Sequence, residues 1–128
     1  MIERWEVFQG RPNGVDRSAP RVTLGPKGIF LLNAVAVEAL GSPEAVELMF
    51  DKGRGMVGFR AVDRGRQNAF PLVKKKGMAH WTLRAAPFCV HYGLKAERTM
   101  LFNEVELTRD GAIAFDIANS VRVTRGTR

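Results

Sequence analysis

Residues 20–62 read PRVTLGPKGIFLLNAVAVEALGSPEAVELMFDKGRGMVGFRAV. The order of patterns in this stretch decides the fold: a short strand, a tight turn, a second strand, a short helix and a β-hairpin. Residues 69–117 follow the same order with different amino acids. The sequence therefore predicts an internal duplication, and it says more about architecture than about function.

The stretch begins with two strands that flank a turn. Arg21–Leu24 is β-branched in its middle, which favours a strand. Gly25–Gly28 reads GPKG, and in such a turn proline presets φ while glycine accepts a positive φ. Ile29–Leu32 is a continuous apolar run, which is typical of a strand buried on both faces.

A short helix and a hairpin follow. Asn33 can accept a hydrogen bond from a first-turn N–H group and so cap a helix at residues 34–40, and Gly41 stands where a left-handed C-cap belongs. Ser42-Pro43-Glu44 resembles another cap with proline in the first turn, which predicts a single helical turn. Alternating apolar residues then predict two half-buried strands, at 46–50 and 56–62.

The second stretch is matched element by element. Pro71 has no N–H group, so the strand at residues 70–73 is expected to lie at a sheet edge or to pair only beyond Pro71. The second strand is predicted at Met78–Thr82 and the helix at residues 85–92. Asp110-Gly111 is the turn of a hairpin between alternating strands.

Two spacings support the duplication. The Lys-Gly pairs at Lys27 and Lys76 are 49 residues apart, and the helix-ending glycines Gly41 and Gly93 are 52 apart. Similar elements at a near-constant period indicate repeated units.

The predicted fold class is α+β: two similar ββαββ units in one chain that share one core, with mostly antiparallel strands. A unit of about 45 residues would bury too little apolar surface to be stable alone. The predicted divisions are an N-terminal strand (residues 2–8) and loop within 1–19, a first unit at 20–62, a linker at 63–68, a second unit at 69–118 and a basic tail at 119–128.

Composition predicts a folded cytoplasmic protein. Apolar residues make up 45% of the chain and charged residues 26%, as in globular domains. No apolar run reaches the roughly 18 residues of a transmembrane helix, and the charged first ten residues do not fit a signal peptide, so we expect neither a membrane partner nor export. A single cysteine, Cys89, fits a reducing compartment.

The positive charge is concentrated in one segment. The chain carries a net charge of +7, and Lys52–Lys76 alone contains eight basic residues and one acidic residue. The rest of the chain is neutral, although its tail again has an excess of arginine. Such a concentration favours a polyanionic partner; the alternative is a solvated loop that keeps the protein soluble.

The element order, with Lys27-Gly28 in the turn and Ala39-Leu40-Gly41 at the helix end, resembles the AbrB/SpoVT-type swapped-hairpin superfamily. The likeness covers residues 21–60, and two such units in one chain resemble its MraZ-like branch. The resemblance implies a transcription regulator or antitoxin that binds DNA. It implies basic DNA contacts at the matching positions, Arg21, Lys27, Lys75 and Lys76.

The chain departs from that family pattern at three positions. Ile29 and Met78 stand where the family often has an arginine directly after the Lys-Gly turn, and Asn33 stands where it often has a proline. Without that arginine, direct reading of bases is not expected, and phosphate contact is the remaining mode.

The predicted function is therefore that of a non-enzymatic nucleic-acid-binding protein, similar to a transcription regulator, with basic turns that contact phosphate. Duplex DNA or another polyanion is the expected partner, and no cofactor or metal is expected. The predicted contact residues are all basic: Arg21, Lys27, Lys52, Arg54, Arg64, Arg66, Lys74, Lys75 and Lys76. The alternative is a protein-interaction module whose basic loop contacts an acidic partner without nucleic acid.

Three further features have two interpretations each. Trp81 near the three lysines could stack on a base or belong to the core, with the lysines protecting a strand edge. Cys89 and His91 could form a hydrolase dyad if their segment is not helical; on a helix they point about 200° apart, which leaves a buried thiol beside an ordinary histidine. A homodimer is expected because exposed edges such as Met56–Val62 need partners, unless the two units pair internally.

Overall fold

The structure, a computed structural model, describes residues 19–122, in which we find two helices and eleven strands. In chain order these are β1 (Val22–Leu24), β2 (Ile29–Leu32), α1 (Ala34–Ala39), β3 (Ala45–Asp51), β4 (Met56–Val62), β5 (Phe70–Pro71), β6 (Val73–Lys74), β7 (Trp81–Arg84), α2 (Ala86–Tyr92), β8 (Met100–Phe102), β9 (Glu106–Leu107), β10 (Ile113–Asp116) and β11 (Val121–Arg122). The strand predicted at 2–8 and the end of the tail lie outside the described residues. The α+β class is confirmed.

The strands form two antiparallel sheets. Sheet A has the order β11-β8-β1-β2-β7-β6, and sheet B has the order β5-β3-β4-β10-β9. Each sheet is joined at its centre by one strand from each half of the chain: β2 pairs with β7 and β4 pairs with β10. The two halves therefore share both sheets, as expected for units with a common core.

Phenylalanine side chains hold the sheets face to face. Phe30 of sheet A contacts Phe59 of sheet B edge-on, with ring centroids 5.1 Å apart. Phe102 of sheet A contacts Phe115 of sheet B at 4.6 Å. All four rings are at most 1% exposed. Edge-to-face aromatic pairs add to the free energy gained by burying their apolar area, so this cluster is the centre of the core.

Asn33 begins α1 as predicted. Its Oδ1 accepts hydrogen bonds from the N–H groups of Ala36, at 3.0 Å, and Arg21, at 2.9 Å. Its own N–H donates to the carbonyl of Arg21, at 3.1 Å. A proline at position 33 would have no N–H group and could not make this bond to Arg21.

The prediction of a helical turn at Ser42-Pro43-Glu44 is wrong: no helix forms at these residues. Gly41 and Ser42 both have positive φ, at 86° and 54°. The Ser42 N–H group donates to the carbonyl of Val37 at 2.9 Å, which satisfies an orphan carbonyl at the end of α1. Ser42 therefore completes the preceding helix and cannot cap a new one.

Strand positions in the second half differ from the prediction. Residues 70–73 do not form one strand: the chain crosses from sheet B to sheet A at Leu72, so β5 and β6 belong to different sheets. Pro71 lies in the outer strand of sheet B, as predicted. The strand predicted at Met78–Thr82 lies at Trp81–Arg84, because pairing with β2 places Leu83 opposite Phe30 in the core.

The order of elements in the two halves is similar with one addition. β6, β7, α2, β9 and β10 follow one another as β1, β2, α1, β3 and β4 do, but β8 is inserted after α2 and pairs with β1. Neither β8 nor β11 was predicted. The duplication itself stays a prediction.

The homodimer was expected because a strand edge was predicted to be exposed, and that reason is wrong. Met56–Val62, which we expected to be an exposed edge, is β4, and it is hydrogen-bonded to β3 on one side and to β10 on the other. The homodimer stays a prediction, without support from that strand.

Candidate nucleic-acid interface

The nine predicted contact residues fall in three regions of the fold. Arg21 and Lys27 belong to the β1–β2 hairpin, and Lys52 and Arg54 belong to the β3–β4 turn. Of the other five, Lys74 ends β6, and Arg64, Arg66, Lys75 and Lys76 lie in the loops on either side of β5 and β6. Eight of the nine are exposed, and Arg21 is half-buried. The three regions differ in how much of their charge is neutralised.

The third region forms what we call the basic flank: Arg64, Arg66, Lys74, Lys75 and Lys76. The crossing at Leu72 brings its two segments together, because β5 and β6 follow each other directly on opposite sheets. Arg64 and Lys74 line one depression of about 510 Å³. No member of the flank forms an ion pair among the described residues. Its charge is therefore available to a partner.

Two carboxylates lie beside the basic flank. Glu44 lines the same depression as Arg64 and Lys74, and Asp63 lines an adjoining one with Arg64 and Arg66. Both acidic side chains are exposed. Five cations against two anions leave a net positive charge on the basic flank. Two of the five, Lys75 and Lys76, lie in the β6–β7 turn.

Trp81 packs against the core next to Lys74. It is half-buried and packs against the buried cluster. The Lys74 ammonium lies 5.4 Å from the centroid of its ring, within the range of a cation–π contact. The ring is therefore held between the core and Lys74, which favours the core interpretation of Trp81 over stacking on a base.

The β3–β4 turn carries less available charge. Arg54 Nε lies 2.8 Å from Asp51 Oδ2, and the hydrogen bond from Arg54 holds the pKa of Asp51 below its usual value. On β4, Arg60 pairs with Glu47 and lies 3.5 Å from Asp110. Two of the eight basic residues of the Lys52–Lys76 segment are thus neutralised by neighbours, and only Lys52 of this turn is without an ion pair in the described part of the chain.

The two Lys-Gly turns lie at opposite ends of sheet A. β2 and β7 are antiparallel, so the β1–β2 turn lies beside Arg84, whereas the β6–β7 turn lies beside Leu32. Lys27 and Lys75 nevertheless line the same depression, on the face of sheet A that points away from the core, together with Arg84. Sequence reasoning missed Arg84 because it ended this strand at residue 82; the alternation of Thr82 and Arg84 with Leu83 was the available signal.

Cys89 and His91 do not meet. Both belong to α2, where Cys89 is buried in the core and His91 is exposed. Burial raises the pKa of the Cys89 thiol, which disfavours the reactive thiolate. Within residues 19–122, no cluster of three or more His, Cys, Asp or Glu side chains is arranged to hold a metal ion.

In the described part of the chain, neither helix has the length and apolar character needed to cross a membrane. Comparison with known proteins finds no matching family, no similar curated protein and no similar solved structure.

Proposed function

We propose that this protein is a non-enzymatic nucleic-acid-binding protein, similar to a transcription regulator, that binds duplex DNA through the phosphates. The basic flank is the proposed contact surface. The observation that carries the proposal is that none of the five exposed cations of the flank forms an ion pair among the described residues, while Arg64 lines one depression with Lys74 and an adjoining one with Arg66. Membership of the AbrB/SpoVT-type superfamily is part of the same proposal.

Phosphate contact is favoured over base reading by the side chains on the flank. Three of the five are lysines, which act as point charges, and bidentate recognition of guanine is mainly the role of arginine. Trp81, the nearest aromatic ring, is occupied by the core and Lys74. Affinity should then come from the release of counterions, vary little with sequence and fall steeply with salt.

The test is a fluorescence-anisotropy titration of duplex and single-stranded DNA at several salt concentrations. Replacing Lys74, Lys75 and Lys76 with alanine should lower the affinity for all duplex sequences alike. The slope of log affinity against log salt should fall by about 0.9 for each phosphate that the variant no longer neutralises. The matched control is Arg54→Gln with Arg60→Gln, which removes two cations outside the basic flank that are paired with carboxylates and should leave the slope of log affinity against log salt unchanged.

Two results would contradict the proposal. If the triple variant binds as the parent does, the lysines only keep the β6 edge solvated. If the parent binds no DNA at low salt, the alternative holds, in which the basic flank contacts an acidic protein without nucleic acid.

A further inference from the structure

The face of sheet A that points away from the core carries a row of apolar and threonine side chains. In register across five neighbouring strands lie Leu101, Thr23, Leu31, Thr82 and Val73. Ile29 lies on the same face, opposite Arg84. We call this surface the outer face of sheet A.

This face is not packed by the core. Ile29, Leu31, Leu101 and Val73 are outside the buried cluster and are not among the side chains that pack against it. Val73 is 46% exposed. Above Thr23, Ile29, Leu31 and Thr82 the described residues leave an open depression of about 420 Å³. β2 is thus apolar on both faces but buried by this part of the chain on one only, and a sheet face of this kind is normally covered by another element.

The rim of the depression is positively charged. Lys27 and Arg84 lie at one end and Lys75 at the other, and among the described residues none that lines the depression is acidic. Neither Lys27 nor Arg84 has an ion pair among the described residues. A ligand for this face must therefore combine apolar groups in its middle with negative charge at its ends.

Nucleic acid does not fit that requirement. Single strands are held by bases that stack on aromatic rings, and within residues 19–122 no aromatic side chain lines the depression. A duplex offers phosphates to the rim but leaves the apolar floor without a partner. A protein segment with apolar side chains flanked by carboxylates satisfies both the floor and the rim.

We propose that the outer face of sheet A is a docking site for an amphipathic, acidic segment of a partner protein. The row centred on Leu31 takes the apolar side chains of that segment. Lys27, Arg84 and Lys75 take its carboxylates. This site is separate from the proposed DNA contact, with which it shares only Lys75.

The experiment titrates the full-length protein with three labelled helical peptides followed by anisotropy. The first has a leucine stripe flanked by glutamates, the second has the same stripe flanked by lysines, and the third has the glutamates with the leucines replaced by serine. Only the first should bind, and NMR shift changes on binding should map to β1, β2 and β7.

Variants separate the two parts of the site. Leu31→Thr places a more polar, β-branched residue on the strand and should lower the affinity for the first peptide at least about fivefold. Lys27→Glu with Arg84→Glu should lower the same affinity at least about tenfold. The matched control, Lys52→Glu with Arg109→Glu, reverses two exposed cations in turns of sheet B, outside both the face and the basic flank, and should alter peptide affinity by less than about twofold. Circular dichroism and NMR spectra of each variant confirm that its fold is retained.

Four outcomes would overturn the proposal. The first peptide could fail to bind at millimolar concentration, or the serine peptide could bind as tightly, which would make the face a simple polyanion site. Duplex DNA affinity could fall with Leu31→Thr, which would assign the face to nucleic acid. Sedimentation could show self-association that Leu31→Thr abolishes, which would make a second copy the occupant.

Discussion

Gly28 joins the β1–β2 turn to the beginning of α2. Its φ is +77°, and a β-carbon added to it would lie 2.8 Å from the Cα atom of Ala86. Its carbonyl also accepts a hydrogen bond from the N–H group of Ala85, at 2.9 Å. A backbone atom cannot move aside as the end of a flexible side chain can, so this position combines a conformational and a steric requirement for glycine.

We predict that Gly28→Ala lowers the free energy of unfolding by about 2–4 kcal/mol, from a left-handed alanine and an overlap with backbone. The matched control is Gly77→Ala in the other Lys-Gly turn. Gly77 has a φ of +83° but nothing within 4 Å of an added β-carbon, so only the conformational cost of about 1–2 kcal/mol should remain. Urea unfolding of both variants measures the difference, and equal losses would contradict the steric part of the prediction.

At the scale of single residues, local chemistry could be predicted from the sequence and contacts between distant residues could not. The turn glycine at Gly28 and the cap at Asn33 depend on neighbours within a few positions, and both are found where expected. The approach of Gly28 to Ala86 joins residues far apart in sequence, and no local pattern contains it. Arg84 is a different case: the alternation of Thr82 and Arg84 with Leu83 was a local signal for its face, but only the pairing with Ile29 shows which residues it joins there.

At the scale of secondary structure, α1 is tied to β1 by one side chain. Besides capping the helix, Asn33 donates from Nδ2 to the carbonyl of Ala19 at 2.9 Å and accepts from the N–H group of Arg21. One amide thus satisfies backbone groups of α1 and of the segment that leads into β1, which ties the start of the helix to the start of the strand.

We predict that Asn33→Ala lowers the free energy of unfolding by about 2–3 kcal/mol, since a cap and two further hydrogen bonds are each worth about 1 kcal/mol. Asn33→Asp keeps both accepting bonds and loses only the Nδ2 donor to Ala19, so its loss should be about 1 kcal/mol, the value of one of the three bonds. Chemical denaturation monitored by circular dichroism distinguishes the two. A loss as large for aspartate as for alanine would show that the accepting bonds contribute nothing.

The elements that were predicted well are those with strong local signals. The helix at residues 85–92 and the hairpin around Asp110-Gly111 were found within a residue or two, since proline, glycine and alternation mark them. β8 and β11 have only three and two residues, and pairing with β1 and β8 makes them strands. Such strands exist because a neighbouring edge is available, which a local pattern cannot indicate.

At the scale of the whole molecule, the strand pairings join the two halves of the chain at the centre of both sheets. The central contacts of the two sheets, β2 with β7 and β4 with β10, both join residues 20–62 to residues 69–118. The phenylalanine cluster does the same, since Phe30 and Phe59 come from one half and Phe102 and Phe115 from the other. The expectation of a shared core followed from the small size of each unit; the particular strands that meet could not be derived from the sequence.

We therefore predict that residues 20–62 and residues 69–118, produced as separate chains, are each unfolded. Alone, the first would expose the edges of β2 and β4 together with Phe30 and Phe59, and about 45 residues bury too little apolar surface to offset the loss of chain entropy. Mixed in equal amounts, the two chains should regain the circular dichroism and the NMR dispersion of the intact protein, because every central pairing is restored. The control is each fragment mixed with itself at the same total concentration. If residues 20–62 alone form a folded homodimer, the first half can supply its own partner strands. That result would contradict this prediction, and it would support the duplication by showing that one unit can stand in for the other.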